Sequence, residues 1–551
     1  MYLFLFIYVY ITHNKYKKGV VVLGHIYYNG DIITLTEYKN VECVYEKNGF
    51  VEYVGNISHV KEIFNENDEW IDLCGKTLCP AFIDSHSHII SLANTLRLCN
   101  LSKAECFEDI KNMLIKFKNE RNISDDNFII GFGYDNNFLI EKKHPDKKLL
   151  DEVGENPVLI THSSGHMGVV NSKALSIFNI TENSKNPEGG IIGRYENSKE
   201  PNGYLEETAF INIAKNIPDA NEEEKIKLFK EAEKIYIENG ILTVQEGFAK
   251  ESESKFLYEL SKKGLIDVDV VMYADMKDNS NIINEYSNIL KKYENNLKLG
   301  GYKIFLDGSP QGRTAFLRKP YKDSNDYKGY PVYKNEEVEK FFEKALNENI
   351  QILAHSNGDG ASEQFINCYK KAIEKEGEKH IRPVLVHGQL LGIDQLDDIK
   401  KLNVIPSYFV SHVYYWGDIH KINFGIERAE RISPINSTIK KDILFTMHTD
   451  TPVIMPNLIE EMWCAINRIT KHGEVIGECE RIDVLNALKG ITINAAYQYF
   501  EENKKGTIEK GKFADFVVLS ENPFNVEKEN IKDIFVIKSI KRGKVLFDKN
   551  I

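Results

Sequence analysis

His86 and His88 close the stretch Leu78-Cys-Pro-Ala-Phe-Ile-Asp-Ser-His-Ser-His88, an apolar run that ends in two imidazoles one residue apart. Successive residues of a strand point to opposite faces, so positions i and i+2 share a side. Two neutral imidazoles converging from a strand end suit a divalent ion such as zinc, with Ser87 turned the other way. A solvated strand face can carry the same pair, so the downstream residues decide the reading. Lys303 lies in Gly301-Tyr-Lys-Ile-Phe-Leu-Asp-Gly-Ser-Pro, His355 closes Ile352-Leu-Ala-His, His387 closes Val384-Leu-Val-His, and Asp450 follows Phe445-Thr-Met-His-Thr. Each has an ordinary alternative: a snorkelling lysine, hydrogen-bonded core histidines, a helix N-cap. Their recurrence at the carboxyl ends of apolar runs, where a β/α barrel keeps its active site, favours chemistry.

The elements that must position these residues have a βα texture. Strand-like runs begin at Leu242, Val268, Leu299, Ile350, Pro383, Val404 and Ile443, and helical periodicity fills intervals such as Asn221 to Asn239 and Asn335 to Asn347. With a first strand at residues 78–85 they make eight, which predicts a (β/α)8 TIM barrel over residues 79–499. The interval of about 100–235 exceeds one βα unit and reads as an insertion after the first barrel strand. Short β-like runs at Val20-Val-Val-Leu, around Ile33 and at Phe50-Val-Glu-Tyr-Val54, punctuated by Asn29-Gly30 and Asn48-Gly49, match runs at Ala514 to Leu519, Ile534 to Ile540 and Gly543 to Phe547. Residues 19–78 and 500–551 are therefore expected to share one composite β-sandwich domain. Residues 1–18 form an apolar extension too short to span a bilayer and without the pattern of a signal peptide.

At 551 residues, with 42% hydrophobic and 28% charged residues, the chain has the composition of a globular protein. A net charge of -12 argues against a nucleic-acid partner, because phosphate backbones are gripped by clustered Lys and Arg. The eight cysteines lack CxxC spacing and read as reduced thiols, which fits a cytoplasmic location. The expected partner is a small-molecule substrate. No stable membrane span is expected, and a homodimer is the default assembly.

The ordered set His86-x-His88, Lys303, His355, His387, Asp450 resembles the amidohydrolase superfamily of metal-dependent hydrolases. The segments Gly75 to His88, Gly165-His-Met-Gly-Val-Val-Asn-Ser-Lys-Ala-Leu175, Asp307-Gly-Ser-Pro-Gln-Gly-Arg-Thr-Ala315, His355-Ser-Asn-Gly-Asp-Gly-Ala361, His448-Thr-Asp-Thr-Pro452 and Lys510 to Leu519 are similar to its amidohydrolase-3, YtcJ-like branch, which includes N-substituted formamide deformylase. The resemblance covers about residues 20–551. It implies one or two divalent ions, zinc or similar, with His86, His88 and Asp450 on one, His355 and His387 on a second, and Lys303 bridging them as a carbamate. An uncharged lysine in a low-dielectric site can capture carbon dioxide, whereas a protonated one cannot.

The implied reaction is hydrolysis of a non-peptide C–N bond, in an amide, formamide or cyclic amide, by a water whose pKa the metal lowers from about 15.7 to about 7. Asp450 is expected to accept its proton and pass it to the leaving amine. The family motif gives His166 a catalytic or substrate-binding role at the carbonyl oxygen, with bracing of a loop as its alternative. Asp307, Arg313 and Tyr204, with Glu206, are expected at the substrate, although Asp307 and Arg313 could equally pair with each other. Asp359 is expected to orient His355 from behind, Asp84 to be structural, and His448 to be structural or peripheral unless its one-strand-period spacing from Asp450 brings it in. A deaminase or isomerase on the same scaffold, and a catalytically silent barrel that binds a small molecule, remain the competing readings.

Overall fold

A computed structural model describes residues 23–38 and 40–549. The expected extension at 1–18 and most of the run starting at Val20 lie outside the described residues. The chain divides into two compact units, one made of the N-terminal segment to Ile89 together with Glu233 onward, the other of Ile90–Ala232.

The first unit is built on eight parallel strands in sequence order: β1 (Phe82–Ile83), β2 (Ile241–Ala249), β3 (Asp269–Asp275), β4 (Leu297–Phe305), β5 (Gln351–Ser356), β6 (Val384–His387), β7 (Ile405–Tyr408) and β8 (Thr446–Met447). All seven residues of Asp269-Val-Val-Met-Tyr-Ala-Asp275 are buried, which is the pattern of a parallel strand covered on both faces. Helices alternate with the strands. The helix over Asn335–Asn347, matching the predicted interval, buries Val338, Phe342, Ala345 and Leu346, a stripe at helical spacing, and Phe342 packs on Phe365 and Tyr369 of the next helix, Asp359–Glu376. Inside the ring of strands Ile83, Val271, Tyr273, Leu353, Val384, Val386 and Ile405 form one core, capped by Ala495, Ala496 and Tyr499. This is the strand order and core of a TIM barrel.

The ends of the sheet meet through single hydrogen bonds rather than a ladder, because β8 is only two residues long. The Ser85 hydroxyl donates to Met447 O at 3.0 Å, the Asp450 amide to His86 O at 3.1 Å, and the His88 amide to Thr451 O at 2.8 Å.

The run predicted as one strand over 78–85 is divided between two sheets. Thr77–Pro80 pairs with Asp31–Ile32 and Phe516–Leu519, and only Phe82–Ile83 enters the barrel. The switch is abrupt: the Ala81 amide donates to Asp515 O, and the next amide, Phe82, donates to Gly240 O. Residues 78–80 therefore belong to a five-stranded sheet drawn from both ends of the chain, completed by Val536–Lys541 and Lys544–Asp548. A four-stranded sheet, in the order Phe50–Gly55, Cys43–Lys47, His25–Tyr28, Glu69–Asp72, shares a core with it: Tyr27, Val44 and Val51 pack with Leu78, Phe516 and Ile540.

The second unit carries a six-stranded mixed sheet in the order Gly190–Arg194, Pro201–Glu207, Met167–Val170, Val158–His162, Ile129–Tyr134, Leu98–Asn100. Its two faces have separate cores, one around Leu101, Leu114 and Ile160, the other around Leu159, Leu205 and Phe210.

All eight cysteines are free. Among the described residues no helix is long and apolar enough to cross a membrane.

Candidate metal centre

Six residues far apart in sequence converge where the barrel strands end. His86 and His88 follow β1, Lys303 is on β4, His355 on β5, His387 ends β6, and Asp450 follows β8. One ligand atom from each of His86, His88 and Asp450 lies within 4.8 Å of the others. Asp450 Oδ1 is 3.6 Å from His86 Nε2 and 3.7 Å from His88 Nε2, and Lys303 Nζ is 3.0 Å from His86 Nε2. On the other side His387 Nε2 lies 3.1 Å from His355 Nδ1, and the His86 and His387 rings are 5.5 Å apart.

Backbone conformation supports this convergence at a cost. His387 and Asp450 adopt φ of 80° and 52°, a left-handed region that side chains with a Cβ enter only where the surroundings impose it. Gly247 shows a different constraint. A Cβ there would stand 2.6 Å from His86 Cε1 and 2.8 Å from Gln245 Oε1, so only glycine leaves room for the His86 ring.

Gln245 holds His86 from behind. Its Nε2 donates to Ser85 O and the Tyr499 hydroxyl, both at 2.9 Å, so its Oε1 is left as an acceptor 2.6 Å from His86 Nδ1. His86 must therefore carry its proton on Nδ1 and present a bare Nε2 to Lys303 and Asp450. Tyr499 donates onward to Asp84 O. The Asp84 carboxylate accepts from the Thr449 amide and hydroxyl, a bracing role that matches its expected structural one.

Electrostatically, the centre is biased against charge. Burial lowers His86, His387 and His448 well below the ordinary imidazole range and brings His355 down to about 3. Burial also pulls Lys303 down to about 7, partly opposed by Asp450, and pushes Asp450 up to about 6 against the pull of His88 and Lys303. Neutral imidazoles, a carboxyl group and an amine close to neutrality form a donor set that suits a borderline divalent cation, because each nitrogen has a lone pair to offer. His86, His88 and Asp450 could hold one such ion, and His355 and His387 direct two further nitrogens at each other.

Several expectations change. His448, expected to be structural or peripheral unless its spacing from Asp450 brings it in, is fully buried inside the cluster, with Nε2 3.0 Å from His387 Nδ1 and its ring 5.3 Å from that of His86. Asp359 does not support His355; its carboxylate accepts from the Arg318 amide at 2.9 Å and Arg318 Nε at 3.1 Å. The neighbours of His355 Nε2 are Asn357 Nδ2 at 2.9 Å and Gly308 O at 3.4 Å, because the turn after β5 brings the nearer residue back. Asp307 is buried, its oxygens accept from the amides of Asn357, Gly358 and Phe316, and its Oδ1 stands 3.8 Å from His355 Nε2, so it organises the loops beside that histidine. It forms no pair with Arg313, whose guanidinium donates to Lys322 O and lies over the Tyr321 ring.

His166 and Tyr204 belong to the Ile90–Ala232 unit. There His166 is exposed with Nδ1 3.1 Å from Glu207 Oε2, while Tyr204 donates to Glu206 Oε1 at 2.8 Å and stacks on His144.

Gln245, Glu246 and Ser407 were not singled out from the sequence. Glu246, whose Oε1 is 3.7 Å from His88 Nδ1, and Gln245 do leave a signal: two polar residues ending the apolar run Leu242-Thr-Val. Ser407 leaves none.

A family model described as "Amidohydrolase family" matches residues 69–547. The YtcJ protein of Bacillus subtilis (strain 168) is 26% identical over 95% of this chain and 99% of its own length. N-substituted formamide deformylase of Arthrobacter pascens is 21% identical over 92% of this chain and 95% of its own. Among solved structures, an uncharacterized metal-dependent hydrolase from Pyrococcus furiosus superposes with a TM-score of 0.73 at 25% identity, covering 91% of this chain and all of that one.

Proposed function

This chain belongs to the amidohydrolase family, and from that premise we propose that it is a metal-dependent hydrolase of a non-peptide carbon–nitrogen bond, in an amide, formamide or cyclic amide. The observation that carries the reading is the His86, His88 and Asp450 cluster, within 4.8 Å, beside a fully buried Lys303. The Pyrococcus protein described as a metal-dependent hydrolase and the relative described as a formamide deformylase support the same direction.

His86, His88 and Asp450 would hold one divalent ion, zinc by the chemistry of the donors, and His355 and His387 a second. Such an ion supplies Lewis acidity, lowering the pKa of water and polarising a carbonyl. The protein's own groups handle the proton. Asp450, whose Oδ1 lies beside both His86 and His88, is placed to take a proton from the attacking water and return it to the leaving nitrogen. Lys303, brought down to about 7, has a neutral fraction able to add to carbon dioxide and release a proton, giving an anionic carbamate between the two groups of ligands. Burial keeps His86, His355, His387 and His448 neutral, so these four do not compete for the transferred proton. The resemblance alone keeps His166 and Tyr204, both in the Ile90–Ala232 unit, as candidate substrate-binding residues.

Around this centre we take the segment from Phe82 to residue 499 as the barrel, with its insertion, and the described residues up to Pro80 with those from 500 to 549 as one composite sandwich, a reading supported by the pairing of Thr77–Pro80 with Phe516–Leu519 and by the core that Tyr27 and Val44 share with Phe516 and Ile540. The free cysteines support a reducing, cytoplasmic setting. Elemental analysis of the purified protein, followed by a screen of N-formyl and N-acyl compounds with and without added zinc, tests the function. Bound metal and metal-dependent release of amine are expected; a protein that neither retains nor responds to zinc, manganese or iron would overturn it.

A further inference from the structure

Behind His387 a line of hydrogen bonds crosses the barrel seam between β7, β8 and β1. His387 Nδ1 is 3.0 Å from His448 Nε2, His448 Nδ1 is 2.8 Å from Ser407 Oγ, Ser407 Oγ is 3.1 Å from Ser85 Oγ, and Ser85 Oγ is 3.0 Å from Met447 O. All four side chains are buried, His387 at 3% exposure and the others at 0%. No solvent is therefore needed to complete the line.

Only one placement of hydrogens satisfies every contact. Met447 O is a carbonyl and can only accept, so the Ser85 hydroxyl proton is committed to it. Ser85 Oγ must then accept from Ser407, which commits the Ser407 proton, and Ser407 Oγ must accept from His448 Nδ1–H. A neutral His448 protonated on Nδ1 has a bare Nε2, so the adjoining contact requires His387 Nδ1–H. His387 is left with a bare Nε2, the atom directed at His355 and the centre. Reversing any link would set two lone pairs, or two hydrogens, against each other in a buried site, an arrangement costly enough to exclude.

We propose that His448, Ser407 and Ser85 are positioning residues that lock His387 as an Nε2 ligand, reading its tautomer from the backbone carbonyl of Met447. The inference rests on the metal-centre reading above and adds residues that touch neither metal nor substrate. Ser85 is the node of the arrangement. Its hydroxyl terminates the His387 line, while its carbonyl accepts from Gln245 Nε2 and so fixes the acceptor that sets the tautomer of His86. One residue thus governs both imidazoles that flank Lys303.

The test measures metal affinity in chelator-stripped protein by competition of cobalt(II) or zinc with an indicator chelator, together with thermal unfolding of the stripped protein and ring ¹⁵N spectra of histidine-labelled protein. Ser407→Ala is expected to weaken cobalt and zinc binding roughly ten- to hundred-fold, with the folded spectrum retained. In the stripped wild type the ring spectra should show His387 and His448 as Nδ1–H tautomers. Ser85→Ala serves as the second variant: with Ser85 unable to accept, the Ser407 proton is free to turn toward His448, and the Nδ1–H signature of His387 should be lost. Wild-type affinity in both serine variants while wild type binds metal normally would overturn the positioning role. So would Nε2–H tautomers in the stripped wild type. Failure of the wild type itself to bind either metal would instead overturn the centre, a separable result.

Discussion

The barrel holds two buried polar clusters, one at each end, and they are built on opposite electrical plans. At the amino ends of the strands, Asp269 on β3 is ringed by cations: Lys505 at 2.5 Å, Lys541 at 2.8 Å and Arg542 at 3.1 Å, with Glu501 bonded to both Lys505 and Lys298. At the carboxyl ends, Lys303 and five imidazoles have only more distant carboxylates, Asp450 at 3.6 and 3.7 Å from His86 and His88, Glu246 at 3.7 Å from His88 and Asp307 at 3.8 Å from His355. In the lower cluster the cations hold the Asp269 carboxyl far below its ordinary range despite burial, and the facing carboxylates hold Lys505 above its own. In the upper cluster burial wins, and Lys303, His86, His355, His387, His448 and Asp450 move toward neutrality. Matched charges make a buried cluster a clamp, here between the barrel and the C-terminal strands. Mismatched ones leave lone pairs open to a ligand.

The sharpest way to break this contrast is to remove one member from each end. His86→Ala is expected to abolish turnover and strip metal, measured by elemental analysis, without unfolding the protein. Asp450→Asn should cost turnover more than metal content. Full activity in both variants would remove the proposed mechanism. Asp269→Ala should do the reverse: the buried Lys541 and the partly exposed Arg542 lose their carboxylate and Lys505 keeps only Glu501, at a cost of about 3–5 kcal/mol in denaturant unfolding, while the folded fraction binds metal as before.

A smaller effect is expected from Gly247→Ala, which crowds the His86 ring without touching any ligand atom. Metal affinity should fall about ten-fold or more, with little change in unfolding midpoint. An unchanged affinity would mean that the ring relocates freely.

The smallest effect concerns pH and belongs to the metal-free protein. Lys303 has its folded pKa depressed to about 7 from 10.5, so between these values the unfolded chain binds more protons and stability rises with pH. Asp450 has its pKa raised to about 6 from 3.8, so between those values the folded chain binds more protons and stability falls as pH rises. Opposing Asp450 over the same acid range, His86, His355, His387 and His448 lie below the ordinary imidazole pKa in the folded chain, so the unfolded chain binds more protons and their four contributions rise with pH. The unfolding temperature of stripped protein is therefore expected to climb from acid pH through neutrality, and a Lys303→Met variant should lose the part of that climb above about pH 7.

The strands and the six candidate ligands were legible because each is a local pattern, an apolar run of strand length ending in a nitrogen or oxygen donor. The limits of that legibility are specific. The run through Leu78 to Asp84 reads as one strand, yet its amides change partner between Ala81 and Phe82, a decision made by Asp515 and Gly240, which approach from elsewhere in the chain. Asp359 has the spacing of a residue that could turn back on His355, but Arg318 claims it. His448 stands one strand period from Asp450, and only its depth distinguishes it from a bystander.

From sequence alone came the repeated βα pattern, the identity of the donor residues and the end of the strands at which they sit, since alternation and hydrophobic runs are properties of neighbouring residues. The tertiary structure alone decided which atoms of those residues are free. Gln245 meets His86 across 159 positions and Ser85 meets Ser407 across 322, and these bonds choose each ring's proton. A tautomer is set by whichever group packs behind the imidazole, and that partner is chosen by the closing of the barrel.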